Sequence, residues 1–96
     1  MTTARRSRRP LFVIAAVGAA LVTAIFATVG DGVAVEAATG VRAAIVDHGH
    51  TLVWALLTVA FTIAAVRGGW VRPAGAVAVT AAIVYAVFLF AVFLWP

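Results

Sequence analysis

The side chains able to ligate an ion or move a proton near neutral pH gather in one short stretch, Asp47-His48-Gly49-His50. Imidazole titrates closest to physiological pH of all side chains, and imidazole with carboxylate is a common ligand set for zinc and related metals. Asp47, His48 and His50 are therefore the candidate metal ligands, or the candidate proton-responsive groups, of the chain. Their spacing works against a shared ion. Residues two apart lie on opposite sides of a helix, so His48 and His50 converge only if the chain turns at Gly49, whereas Asp47 and His50 would be neighbours. The nearest further acid, Glu36, would lie ~16 Å from Asp47 along a straight helix. The expectation is a group of interfacial polar residues, with no metal and no cofactor. Haem or metal handling, and a protonation switch, are the alternatives this stretch leaves open.

Catalysis has little else to work with. Ser7 is the one serine and lies in the basic tail, cysteine is absent, and no acid falls inside an apolar run. Neither a nucleophile with its base nor a pair of carboxylates can be drawn, so the chain is not expected to be an enzyme. Gly68-Gly69, between Arg67 and Arg72, reads as a tight bend between helices and not as a phosphate loop. Arg5, Arg6, Arg8 and Arg9 adjoin an apolar run, where basic residues bind anionic lipid and set topology. No nucleic-acid partner is expected.

The elements carrying these residues follow from composition. Of 96 residues, 66% are hydrophobic and 10% charged, against about 45–50% and about 25% in an ordinary soluble domain. Too little polar surface is available to cover a water-soluble fold, so lipid is the expected solvent. Leu11 to Val29 contains nothing more polar than Thr23 and Thr28 and would be ~28 Å long as a helix, close to the ~30 Å hydrocarbon core. Thr51 to Val66 is a second apolar run. Ala74 to Trp95 is a third, without a charge and with Pro73 at its first turn, where a missing N–H is harmless.

The expected fold is all-α, with three transmembrane helices over 10–30, 51–66 and 73–96. A basic tail (1–9), a connector (31–50) and a short turn (67–72) complete it. Ser7-Arg8-Arg9-Pro10-Leu11-Phe12 is similar to a twin-arginine export signal with Leu and Phe exchanged, but the run behind it exceeds the ~7–15 residues of a cleaved signal, so the first span is expected to stay. Within the connector, helical phase over 33–48 places Ala34, Ala37, Ala38, Val41, Ala44, Ile45 and His48 on one face, which predicts a short amphipathic helix. There Asp31 would cap the start, Gly40 would weaken the middle and Gly49 would offer a break, leaving His50 toward water.

Six of the seven arginines, Arg5, Arg6, Arg8, Arg9, Arg67 and Arg72, fall in the tail and the short turn, which three spans place on one side. The connector sets one arginine, Arg42, against Asp31, Glu36 and Asp47. By the positive-inside rule the N-terminus is expected in, and the connector and C-terminus out, in a cytoplasmic (inner) membrane. The absence of Lys, Asn and Gln beside abundant Ala and Val points to a GC-rich bacterial genome. For packing, Ala74, Ala78, Ala82 and Ala86 form a small-residue stripe on the third span, with Phe88, Phe90 and Phe93 set toward lipid or a partner. The functional expectation is a small structural or accessory subunit that packs against another integral membrane protein or against itself, surrounded by membrane lipid. The alternative is an oligomeric transporter or channel lined by threonines and Tyr85.

Overall fold

The computed structural model describes residues 8–96. It is all-helical, with three helices long and apolar enough to cross a membrane: α1 (Arg9–Thr28), α2 (Gly40–Arg67) and α3 (Arg72–Leu89). The last continues through a π-helical turn, Phe90–Leu94. Arg5, Arg6 and Ser7 lie outside the described residues. Pro10 and Pro73 each sit in a first turn, where the ring's fixed φ is already helical and no backbone bond is lost.

The α2/α3 turn is set by glycine. Gly68 has φ +74°, the left-handed conformation that closes a helix, and its N–H donates to the Ala65 carbonyl while that of Gly69 donates to Ala64. These two bonds help satisfy the carbonyls of the last turn of α2. The bend predicted at Gly68-Gly69 is therefore present.

The connector departs from expectation. No separate amphipathic helix forms, and the second helix begins at Gly40, not Thr51. Residues 31–39 are irregular, with one turn at 36 and 37, and Thr39 is extended just before the helix starts. Gly49 does not break α2. Glycine inside a helix costs only about 1 kcal/mol relative to alanine, and at this position the missing side chain does something useful. A Cβ at Gly49 would lie 3.1 Å from Phe88 Cδ1 and 3.3 Å from Phe88 Cβ, so glycine is what lets α3 approach α2 this closely.

The helices are arranged as a shallow layer. α2 is central, with α1 on one side and α3 on the other, and no Cα of α1 comes within 8 Å of one in α3. The molecule measures 58 × 25 × 15 Å. The α1 seam runs Phe12, Ala15, Ala19, Val22 and Phe26; the α3 seam runs Ala74, Ala78, Ala81, Val84 and Phe88. Steps of three and four hold a seam against one neighbour, and small residues within it permit the close backbone contact that drives association where lipid removes the hydrophobic term.

Two arginines fasten the helix ends. From the first turn of α1, Arg9 Nε donates to the Ala65 carbonyl at 2.8 Å and Nη2 to Val66 at 3.4 Å. From the first turn of α2, Arg42 Nε donates to the Ala91 carbonyl at 2.8 Å. In each case a cation from the start of one helix meets the final carbonyls of its antiparallel neighbour, where the negative end of the helix dipole lies.

Candidate functional site

Because α2 runs unbroken from Gly40 through Gly49, the face that packs within the chain carries Val46, Gly49 and Val53, and His50 borders it. His48 is exposed and shares an apolar face with Val41, Ala44 and Ile45, as the helical phase predicts, whereas His50 is half-buried and turns inward, not toward water. His50 Nδ1 lies 3.2 Å from Asp31 Oδ2. Asp31 does not cap a helix. Its other oxygen, Oδ1, accepts the Val33 N–H at 3.0 Å and turns the chain just after α1. The side chain of Asp31 is 9% exposed and that of His50 22%, so the pair is largely removed from water.

Aromatic rings wall the pair. The His50 ring centroid lies 4.7 Å from that of Phe26 on α1, 5.1 Å from Phe88 and 5.8 Å from Tyr85, both on α3. Tyr85 and Phe88 stack on each other at 6.2 Å. Thus His50 on the central helix touches both flanking helices, although these do not approach each other. A carboxylate oxygen only accepts, so Nδ1–H of His50 donates to Oδ2 of Asp31, and Nε2 is the ring nitrogen left for another partner. Beside His50 opens a cleft of about 240 Å³ lined by His50, Val53, Trp54, Leu57 and Tyr85.

The remaining predicted residues are distributed elsewhere. Asp47 is exposed and does not pair with His50, whose acidic partner is Asp31. His48 lines a different, apolar groove of about 420 Å³ between α2 and α3, together with Ile45, Leu52 and Val87. The described residues contain no group of three His, Asp or Glu placed to hold a metal ion. Of the arginines, Arg8, Arg67 and Arg72 are exposed, while Arg9 also holds the end of α2.

The alanine stripe is split. Ala74 is buried and Ala78 half-buried, but Ala82 and Ala86 are exposed, and Ala81, Phe88 and Ala91 take the buried places. The reason is geometric: steps of four advance about 40° around a helix, so Ala86 stands about 120° from Ala74, whereas Ala81 and Phe88 stay on its face. Phe88, expected to face lipid or a partner, is 3% exposed, in contrast to Phe90 and Phe93, which are exposed.

Sequence reasoning missed the Asp31–His50 pair. A signal was available in the run Val46, Gly49, Val53, Ala60 and Ala64, whose spacing crosses Gly49 without interruption. Searches of family models, curated proteins and solved structures give no match to this chain.

Proposed function

We propose that the chain is a structural or accessory subunit of a membrane, packing sideways against another integral membrane protein or a second copy of itself. The observation carrying this reading is the open layer: α1 and α3 each meet only α2, so large parts of all three apolar helices have no neighbour within the chain. On α3, Ala82 and Ala86 are exposed and share a face with Gly75 and Val79. That face is small and suited to close helix contact. The outer face of α1, by contrast, carries exposed Ile14, Val17, Leu21 and Ile25, side chains suited to lipid.

In this reading no reaction is catalysed and no cofactor is resident. The arginine asymmetry supports a bacterial cytoplasmic membrane with the N-terminus and the Gly68-Gly69 turn inside and the connector outside. Transport has less support, because the hydroxyls of Thr23, Thr58, Thr62 and Thr80 each donate to the carbonyl four residues earlier in their own helix. Each hydroxyl thereby spends its one donor inside its own helix and has only acceptor capacity left for a permeating group.

The test is the size of the assembly solubilised from its own membrane in mild detergent. Ala82→Leu with Ala86→Leu should reduce it to the lone chain without impairing insertion, since leucine is the more apolar residue. Ile14→Ala with Leu21→Ala should leave it intact. An assembly indifferent to the first pair, or a wild-type chain that runs alone, refutes the proposal.

A further inference from the structure

The cleft beside His50 combines three features that an ordinary gap between helices lacks. Its size, about 240 Å³, exceeds the roughly 150 Å³ that accommodates a benzene ring in a protein interior. Two of its walls, Trp54 and Tyr85, offer aromatic faces for offset stacking. Its polar member is an imidazole whose Nδ1–H is held by Asp31, so that in the neutral ring Nε2 is the hydrogen-bond acceptor. An acceptor fixed by a carboxylate needs no reorganisation on binding.

The position selects among ligands. Counting ~20 residues of span from Arg67 reaches Asp47, which sets His50 about one helical turn inside the apolar layer. A ligand reaching the cleft therefore arrives through lipid, with a flat ring, one hydroxyl to donate and an apolar tail. We propose that this cleft binds the ring of a membrane-soluble phenol or quinol, its hydroxyl donating to Nε2 of His50 and its faces lying against Tyr85 and Trp54. The site is independent of lateral assembly, because its walls come from α2 and α3 of one chain.

The proposal is tested with full-length protein in zwitterionic phosphatidylcholine vesicles, by quenching of Trp54 fluorescence with a ring-brominated long-chain alkylphenol. Trp54→Phe identifies the Trp54 component against Trp70 and Trp95. Saturable quenching is expected at a phenol concentration at least about tenfold below that needed for the corresponding methyl ether, which cannot donate. His50→Phe should abolish that difference. Leu57→Phe, which narrows the cleft, adds no tryptophan and leaves Asp31 and His50 in place, should abolish saturable quenching by the phenol; helical content by circular dichroism verifies that both variants fold. Equal quenching by phenol and ether overturns the proposal, as does a Leu57→Phe protein that still binds. Displacement of the phenol by an alkyl phosphate of the same tail, with greater affinity, would also overturn it, in favour of an anion site.

Discussion

Gly49 is the position where a single added carbon tests the packing argument. A Cβ there would stand 3.1 Å from Phe88 Cδ1 and 3.3 Å from Phe88 Cβ, against ~3.5–4.0 Å for carbons in comfortable contact. The ring can swing away, but Phe88 Cβ is fixed to the α3 backbone, so α3 must retreat by a few tenths of an ångström. Overpacking of this kind costs roughly 1–3 kcal/mol, and replacing a helical glycine by alanine returns about 1 kcal/mol. Gly49→Ala should thus lie between neutral and about 2 kcal/mol destabilising. Gly49→Leu regains nearly the same helix propensity, but its larger side chain moves the interaxial distance from the ~8 Å end of the usual range toward ~10 Å. A shift of that size breaks the 2.8 Å bond from Arg42 to Ala91, two turns away at the same end of the layer. The combined loss should be roughly 2–3 kcal/mol. The assay is the distance between spin labels on cysteines placed at exposed Val41 and Phe93, which the absence of native cysteine makes simple, together with the midpoint of unfolding in dodecyl sulfate. Gly18→Leu is the control, because nothing lies within 4 Å of a Cβ there. If Gly49→Leu leaves both the label distance and the midpoint at wild-type values, Gly49 is not a close-contact residue and the seam has been misread.

Other expectations follow from the same geometry. Gly68→Ala puts a side chain on a residue at φ +74° and should destabilise the hairpin by about 1–2 kcal/mol, read as an earlier dodecyl sulfate midpoint; Gly69→Ala, at ordinary φ, should do much less. Arg42→Leu removes the donor to the Ala91 carbonyl, so amide exchange should accelerate through the π-helical turn while α1 is unaffected. For orientation, single cysteines at Ser7, Thr39 and Gly69 should show labelling by a membrane-impermeant reagent in intact cells at Thr39 alone, and labelling at Gly69 would reverse the proposed topology.

What was legible in the sequence, and what was not, divides along the range of the interactions involved. The three helices follow from runs of apolar residues, and the hairpin from Gly68-Gly69 beside Arg67, all signals confined to a few neighbouring positions. The start of α2 depends on a competition that the local sequence poses but does not decide. Gly40 and Gly49 both resemble helix breakers, and Arg42 and Asp47 resemble the end of an apolar span. Yet Gly40, at φ +60°, opens the helix, Arg42 reaches the end of α3, and Gly49 is retained because Phe88, far along the chain, occupies the space a side chain would need. The glycine that looks like a flexible joint in one dimension is a contact surface in three. Once α2 runs through Gly49, the phase of the helix leaves His50 no choice of direction: it turns inward, where Asp31 waits at the end of α1. The candidate site is thus a consequence of one small residue. A side chain at Gly49 that moved α3 away would open the ring contact between His50 and Phe88, now 5.1 Å between centroids, while the Asp31–His50 bond, made between the end of α1 and α2, would survive.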